Sequence, residues 1–406
     1  MKVGIGYCNE EDVFLSGMKA ARGALEEAGT RNPVLAFAFC SGGLDAEVFF
    51  KGLQSTLGEN IPIVGGSAIG IITNSNISYK GYPAAVAVID DPSLRAECFS
   101  VGNLDADERA AGRKLSRKLN STRLGKLIFL LYDSLKTHAT ADSPPILNSS
   151  ARLLQGISEE LKKHLPILGA GLIGDYTFSP TKQFCGFFTG EQTIIALVLD
   201  GHFTCYHRIM HGCSPLDGVY HIITKVKDDV IFEIDGKPAA DVIDELYGNP
   251  GWRNEHPVKL LTIGINCKDK FGEFHEGNYV NRLITGVMPD GKSIGIFEPD
   301  LEEGIEFQFM LRDGQMMIES ARKNSKRLVE ELKSREKTPL FALYIDCAGR
   351  TAEFSQTLTE EAAEVQKTCN EHGVPLLGFY SGVEIAPLLG RSRGLDWTGV
   401  LIIWAR

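Results

Sequence analysis

The sequence lacks several features that would place it in a class at once. It contains no CxxC pair, and its nine cysteines are scattered from Cys8 to Cys369 in an odd number, which favours reduced thiols over a disulfide framework. No apolar run approaches the ~18–20 residues that cross a bilayer, and no N-terminal segment joins a basic start to a long apolar stretch. We therefore expect a cytoplasmic protein without membrane insertion.

The chain also lacks an excess of basic residues. Its 42 Lys and Arg residues are outnumbered by 52 Asp and Glu residues, which gives a formal net charge of −10. A general footprint for nucleic-acid phosphates is therefore not expected. The basic cluster at residues 322–327 (RKNSKR) lies on an amphipathic helix pattern and is interpreted as a solvated helix face. We expect no nucleic-acid partner.

What the sequence does contain is a short phrase that occurs three times. The copies are residues 61–67 (IPIVGGS), 165–171 (LPILGAG) and 374–380 (VPLLGFY). Each copy is preceded by an apolar run and a helix-like segment, and each is followed by a further strand candidate. This pattern predicts a repeated β-α-β-β unit. The fold class is therefore predicted as α/β, with mixed sheets whose helices lie on the outer faces in α-β-β-α layers.

The length and composition predict more than one domain. At 406 residues with 43% hydrophobic content, the chain fits two or three domains better than one. We place two domains at residues 1–215 and 216–406, because Gly and Pro interrupt two strand-like regions at residues 212–215. The first domain would hold an internal duplication at about 33–90 and 126–200. A loop with paired prolines is predicted at residues 138–145.

Three motifs suggest specific chemistry, but each lacks part of the pattern that the chemistry requires. Gly169, Gly171 and Gly174 match GxGxxG after a strand, but no helix opens there, so the glycines are interpreted as permitting tight turns. The tract from Cys205 to Cys213 holds two His and two Cys, yet its spacing matches no zinc pattern. We predict no metal and no cofactor, with haem ligation as an open alternative.

The third motif is a cysteine at the end of a strand. Aligning the strands upstream of the three phrases by their ends places a serine of the first two copies where the third has Cys347. The aligned pairs are Cys40-Ser41, Asp133-Ser134 and Asp346-Cys347. A thiol nucleophile needs a base and a lowered pKa. Arg350 would favour the thiolate, but no histidine is visibly supplied. A cysteine-dependent enzyme using Cys347 therefore stays an alternative, and the sequence leaves enzymatic activity open.

Several segments in order resemble one known family. Similarity to the C-terminal domain of the FIST family lies in residues 346–350 (DCAGR), the glutamate-rich helix at 360–364 and residues 374–387 (VPLLGFYSGVEIAP). Further similarity lies in residues 234–239, 281–287 and 303–313. Residues 62–70, 84–89 and 212–215 look like the FIST N-terminal domain. The resemblance covers nearly the whole chain.

The resemblance implies a sensory function. FIST domains are regarded as input modules for small ligands such as amino acids, often joined to kinase, cyclase or chemotaxis output domains. No such domain follows Trp404, so we expect the signal to pass to a separate partner such as a kinase or cyclase. Some relatives are described as haem-containing nitric-oxide sensors, which keeps a haem or nitric-oxide sensor as an alternative function.

The candidate ligand site lies in the third copy. Arg350 is predicted to clamp a carboxylate and Glu384 to receive an ammonium group, while Phe379 and Tyr380 supply an apolar wall. Two further ligand-binding candidates are Cys347 and, from its matching family position, Arg282. The alternative is a structural ion pair between Arg350 and Glu384. A secondary candidate site lies over the glycine phrases, at Gly65, Gly66, Ser67, Gly169 and Gly171.

Overall fold

The computed structural model describes residues 1–138 and 145–406. Most of the proline-containing loop predicted at 138–145 therefore lies outside the described residues. The chain forms three units with one order of elements: an edge strand, a helix, a first central strand, a second helix, a second central strand, a hairpin and a closing strand. The third unit is interrupted after its edge strand by a separate barrel.

The elements of the first unit are β1 (Lys2–Asn9), α1 (Val13–Ala28), β2 (Leu35–Ser41), α2 (Ala46–Leu57), β3 (Ile63–Ala68), β4 (Ile71–Thr73), β5 (Ile77–Ser78) and β6 (Pro83–Asp90). Those of the second are β7 (Arg95–Val101), α3 (Glu108–Leu119), β8 (Leu127–Asp133), β9 (Leu135–Thr137), β10 (Ile146–Leu147), α4 (Ser150–Glu160), β11 (Ile167–Leu172), β12 (Gln183–Gly186), β13 (Phe188–Gly190) and β14 (Ile194–Asp200).

The third unit begins with β15 (Thr204–Met210). The barrel follows as β16 (Cys213–Pro215), β17 (His221–Lys227), β18 (Val230–Ile234), β19 (Lys237–Pro238), α5 (Ala239–Tyr247), β20 (Leu261–Asn266), β21 (Tyr279–Val287), β22 (Ile294–Ile296) and β23 (Glu306–Arg312). The unit then resumes as α6 (Gly314–Ser334), β24 (Pro339–Cys347), α7 (Ala352–Ser355), α8 (Ala362–Glu371), β25 (Leu376–Ser381), β26 (Val383–Leu388), β27 (Arg391–Leu395) and β28 (Gly399–Ala405).

Each unit contributes four strands to its own sheet and lends its hairpin to another unit. The three six-stranded sheets have the orders β1-β6-β2-β3-β12-β13, β7-β14-β8-β11-β26-β27 and β15-β28-β24-β25-β4-β5. In all three the two central strands are parallel and the closing strand is antiparallel to the first of them. The predicted repeat is therefore confirmed, and the regions 33–90 and 126–200 share one strand order.

The sheets pack their inner faces on one common core. On β2, for example, Phe37 and Phe39 point into that core, whereas Ala36 and Ala38 belong to the cluster shared with α1 and α2. The ring of Phe37 lies 5.4 Å from that of Phe129, so residues of different sheets meet at the centre. The helices lie outside and the sheets inside, so any two of the three sheets with their helices form the predicted α-β-β-α layers. The mixed α/β fold class is confirmed.

One glycine of the recurring phrase has a packing function in all three units. Gly65, Gly169 and Gly378 lie within β3, β11 and β25. A Cβ at these positions would lie 1.7, 1.8 and 2.7 Å from the carbonyl oxygen of the neighbouring strand, closer than atoms can approach. The prediction that Gly169 and Gly171 permit tight turns is wrong, because both lie within β11 and Gly169 allows parallel strands to approach.

The inserted barrel is closed by its own hydrogen bonds. The six strands β23, β17, β18, β22, β21 and β20 pair in that order, and β20 pairs with β23 again. Apolar side chains of these strands and of α5 form a separate core. The barrel begins at Cys213, near the predicted boundary at 215, and residues 314–406 return to the three-sheet core. The division into domains 1–215 and 216–406 stays a prediction.

Within residues 1–138 and 145–406, we find no helix with the length and hydropathy needed to cross a bilayer.

Candidate ligand-binding site

The structure places the predicted site at the carboxyl ends of β24 and β25. Cys347 lies opposite Ser381 in this parallel pair. Ser41 and Asp133 occupy the corresponding register positions in the other two units. The alignment that paired Cys347 with Ser134 is therefore wrong by one residue in the second unit, because strand ends were aligned there instead of hydrogen-bond register.

Arg350 lies fully inside the protein and is held from four sides. Its guanidinium forms ion pairs with Asp346 at 3.3 Å and with Glu361 at 2.5 Å. Nη1 also donates to the carbonyl oxygens of His211 at 2.8 Å and Trp397 at 2.7 Å. Arg350 thus ties together the strand end, α8, the entry to the barrel and the loop after β27, and it pairs with carboxylates other than Glu384.

The carboxyl groups around Arg350 share one cation in a dry environment. Burial raises the pKa of Asp346 well above its ordinary value, and the neighbouring Glu361 raises it further. Burial also raises the pKa of Glu361, although Arg350 opposes this shift. Two carboxyls so close to one guanidinium titrate as a coupled pair. The cluster is therefore electrically compensated by its own residues.

Glu384 and Cys347 lie buried near each other. Glu384 accepts a hydrogen bond from Ser381 Oγ at 2.7 Å, while its Oε2 has no hydrogen-bond partner in the described part of the chain. Burial raises the pKa of Glu384 well above its ordinary value. Burial, and next the Glu384 charge, raise the pKa of Cys347 strongly. The Cys347 thiol is therefore protonated, unlike a reactive cysteine.

The remaining predicted residues point in different directions. Phe379 stacks on Phe39 with ring centroids 3.9 Å apart in the common core, so it lines no cleft. Tyr380 donates its hydroxyl to Glu360 Oε2 at 3.2 Å. Arg282 lies in β21 and binds Asp300 through two nitrogens at 2.7 and 2.5 Å. The structure thus brings Cys347, Arg350, Tyr380 and Glu384 to one end of the sheet and places Phe379 and Arg282 elsewhere.

The secondary candidate site is occupied by a neighbouring strand. Gly65 and Gly66 pair with Phe184 and Gln183 of β12. Ser67 exchanges two hydrogen bonds with Lys182, through its backbone N–H at 2.9 Å and its Oγ at 3.1 Å. In the second unit, a Cβ on Gly171 would lie 2.2 Å from Ser134 Oγ, and Gly169 pairs with Ile385 of β26. The hairpins lent by other units cover both glycine phrases.

A groove of about 630 Å³ opens beside the Arg350 cluster. It lies between the barrel, the first turn of α6 and the segment that contains α7. Its lining includes Lys259 and Leu260 from the barrel, Gly314 at the start of α6, and Phe354 and Leu358 from the α7 segment. Leu260 and Leu358 are exposed, so the groove combines apolar surface with polar groups that face its interior.

Arg312, the last residue of β23, lines this groove and is only 5% exposed. Its guanidinium donates to the Gly349 carbonyl at 2.6 Å and to Ser355 Oγ at 2.9 Å, and it lies 4.0 Å above the ring of Trp397. Among the described residues it forms no ion pair, and its Nε has no hydrogen-bond partner. Arg312 is therefore a buried cation without a counter-ion.

The charge of Arg312 persists at neutral pH despite its surroundings. Burial, and next the nearby Arg350, lower its pKa to about 10. An uncompensated buried charge is costly, and an anion in the groove would offset that cost. Asp313 caps α6 by accepting from the Met316 N–H at 3.0 Å, so its carboxylate offsets the partial positive charge of the first-turn amides.

The DCAGR segment lies behind Arg312, which itself lines the groove. A Cβ on Gly349 would lie 2.0 Å from the Trp397 ring, so glycine is needed for the indole to lie there. The carbonyl of Gly349 accepts from Arg312, and Arg350 fixes the carbonyl of Trp397. Arg350 therefore positions the groove, whereas Arg312 faces it. Residues 303–313 belong to the family resemblance, but Arg312 itself was missed; its signal is an arginine that ends an apolar strand directly before a helix cap.

The histidines of the tract at 205–213 form hydrogen bonds with backbone carbonyl groups. His207 Nε2 lies 2.9 Å from the Pro387 carbonyl oxygen, and His211 Nε2 lies 2.8 Å from that of Glu276. Burial lowers the pKa of both imidazoles. No group of three or more His, Cys, Asp or Glu side chains is arranged to hold a metal ion in the ranges that the structure describes.

Comparison with known families matches two adjoining domains. The FIST N domain matches residues 34–237 and the FIST C domain matches residues 239–387. FIST domains are small-ligand sensor domains associated with signalling.

Three similar proteins are described as uncharacterised. One from Mycobacterium tuberculosis strain H37Rv is 24% identical over 406 residues and covers 100% of both chains. A second, from strain CDC 1551, is 24% identical over 408 residues, covering 100% of this chain and 99% of its own. A protein of Methanocaldococcus jannaschii is 23% identical over 319 residues, covering 72% of this chain and 56% of its own.

Among solved structures, a chorismatase aligns with a TM-score of 0.35 at 11% identity, covering 100% of this chain and 99% of that chain. T. maritima PurL complexed with FGAR aligns with a TM-score of 0.22 at 9% identity, covering 99% of this chain and 72% of that chain. TM-scores this low support no conclusion about fold or function.

Proposed function

Because the chain belongs to the FIST family, whose two domains match residues 34–387, we propose that it is a sensory protein that binds a small organic anion in the groove at Arg312. The observation that carries this proposal is the buried guanidinium without a counter-ion. A carboxylate placed against Arg312 would gain charge-assisted hydrogen bonds from a guanidinium that is itself buried.

Amino acids are the ligand class that we favour. Beside Arg312, the groove is lined by the acidic side chains of Glu255 and Asp313, which suit an ammonium group. Phe354 and Leu358 supply apolar surface for a side chain, and Lys259 Nζ lies 5.9 Å above the ring of Phe354. A zwitterion with an apolar side chain would use all of these groups.

The segment of α7 is the part of the groove that would report ligand binding. It is a single short helix capped by Thr351 and ended by Gln356 in a left-handed conformation. Glu360 Oε2 accepts a hydrogen bond from the Ala352 N–H, the first amide of α7, at 2.9 Å. It also accepts one from the Tyr380 hydroxyl. We propose that a ligand fixes this segment, that Tyr380 and Arg350 position it, and that a separate signalling protein, such as a kinase or cyclase, reads the result.

Calorimetric titration with amino acids and with simple carboxylates tests the proposal. Arg312→Gln should weaken binding by about 10- to 150-fold, because a hydrogen bond to a charged group contributes about 1.5–3 kcal/mol. The exposed Arg123 supplies the control, since Arg123→Gln should leave the affinity unchanged. An amino acid that binds wild type and Arg312→Gln with equal affinity would place the ligand site elsewhere.

A further inference from the structure

A second groove, of about 620 Å³, lies between α4, the hairpin of β26 and β27, and residues 299–302 of the barrel. None of its lining residues lines the groove at Arg312. Its apolar floor comes from α4 and from the connection to β11, with Leu154 and Ile157 buried and Leu161 and Leu165 half-buried. This surface suits the hydrocarbon part of a ligand.

One wall of this groove carries uncompensated positive charge. Arg391 is exposed and Arg393 is half-buried on β27, and neither forms an ion pair with any part of the chain that the structure describes. Arg393 Nε is buried without a hydrogen-bond partner. Burial, and next the neighbouring Arg391, lower the pKa of Arg393. Two like charges on one wall favour an anion between them.

The acidic groups of the groove do not cancel this charge. Asp300 is held by Arg282 through both carboxylate oxygens, and Glu302 is exposed. A third arginine at the groove, Arg152, pairs with Asp228 at 3.0 Å. Of the three arginines at the groove, the two without an ion pair to a described residue therefore both lie on the hairpin wall, while Lys163 donates its Nζ to the carbonyls of Thr122 and Leu124.

In the other two units, direct hydrogen bonds join the second helix to residues in or next to the hairpin contributed by another unit. Beside α8, Asn74 Nδ2 donates to Asn370 Oδ1 at 2.8 Å, and Gln366 donates to the Thr73 carbonyl at 2.7 Å. Beside α2, Lys182 donates to Glu47 at 2.7 Å. Beside α4, the hairpin instead presents Arg391 and Arg393 to the groove.

We propose that this groove binds a small amphipathic anion, a carboxylate or phosphate monoester on an apolar chain. The anionic group would contact Arg391 and Arg393, and the chain would lie along α4. This site is independent of the groove at Arg312 and goes beyond the function proposed above.

Calorimetry with octanoate, octyl phosphate and inorganic phosphate tests the inference on the full chain. We expect octanoate or octyl phosphate to bind wild type, and the double variant Arg391→Gln/Arg393→Gln to bind it at least about tenfold more weakly. The two octyl probes show which head group is preferred. Arg391→Gln alone changes an exposed residue, so a weaker but measurable loss is expected even where the double variant folds poorly. Arg123→Gln should bind as wild type does.

Three outcomes would overturn the inference. The first is that neither octyl probe binds, and the second is that both arginine variants keep wild-type affinity. The third is that inorganic phosphate binds as tightly as octyl phosphate, which would remove the function of the apolar floor. Arg312→Gln separates the two grooves: if only this variant loses the octyl probe, the probe occupies the first groove, and the inference fails while the proposed function survives.

Discussion

Arg350, just after β24 of the third unit, and Arg312, at the end of the barrel strand β23, are both buried but differ in their counter-ions. Arg350 contacts two carboxylates, Asp346 and Glu361, and two carbonyls. Arg312 contacts carbonyls, a hydroxyl and the face of Trp397, with no carboxylate partner in the described chain. Burial is nearly equal, since Arg350 is 1% and Arg312 5% exposed.

The difference separates a structural group from a ligand-facing one. A buried ion pair is compensated from within, and breaking it leaves the partner charges stranded. A buried charge without a partner is compensated only when an anionic ligand binds beside it. The sequence motif drew attention to Arg350, but the charge balance of the folded chain points to Arg312.

The largest effect is expected on breaking the compensated cluster. Arg350→Ala leaves Asp346 and Glu361 buried together without their cation, so it should lower the free energy of unfolding by about 3–5 kcal/mol. Urea denaturation followed by circular dichroism measures this loss. Should Arg350→Ala keep wild-type stability and lose only ligand affinity, Arg350 would be the ligand clamp, and the assignment of the two arginines would be reversed.

Local patterns predicted much of the fold. The apolar strands and the glycine phrase predicted the three units because both recur locally. The exchange of hairpins was not predicted, since β4 pairs with β25 and β26 with β11, across long stretches of sequence. The function of Gly65 was missed for the same reason: the carbonyl that requires a glycine belongs to the neighbouring strand.

The site was predicted only in part. The DCAGR segment does contact a residue that lines the groove, since the Gly349 carbonyl accepts from Arg312. Glu361, the partner of Arg350, lies in the glutamate-rich stretch that was noted without an assigned contact. The position of Arg312 between an apolar strand and a helix cap is visible in the sequence, but the absence of a counter-ion is a property of the folded surroundings, so the sequence did not single it out.

Arg282 is an intermediate case, and its second carboxylate should respond to pH. Asp396 lies 3.9 Å from Arg282 Nη1, and burial raises the pKa of Asp396 to about 7 in spite of that cation. A carboxyl whose folded pKa exceeds its unfolded value binds the proton more tightly when folded, so its contribution to stability falls as pH rises from about 4 to 7. Asp396→Asn should remove this contribution.

Chemical denaturation at several pH values measures it. Between pH 4 and 7 the free energy of unfolding of Asp396→Asn should fall less than that of wild type, by about 3 kcal/mol over the range. The amide oxygen of asparagine can still accept from the Leu283 N–H, which donates to Asp396 at 2.9 Å, so the local structure is retained. Equal pH slopes for the two proteins would show that Asp396 is ionised throughout.

The smallest effect on stability is expected at Arg312. Arg312→Met removes hydrogen bonds to Gly349 and Ser355 but also removes the cost of burying an unpaired charge, and these terms oppose each other. The free energy of unfolding without ligand should therefore change by less than about 1 kcal/mol, far less than for Arg350→Ala. An amino acid that stabilises wild type against urea should no longer stabilise Arg312→Met, because only the folded groove binds it. A loss as large as that of Arg350→Ala would mean that Arg312 is already compensated within the protein, and the distinction between the two arginines would disappear.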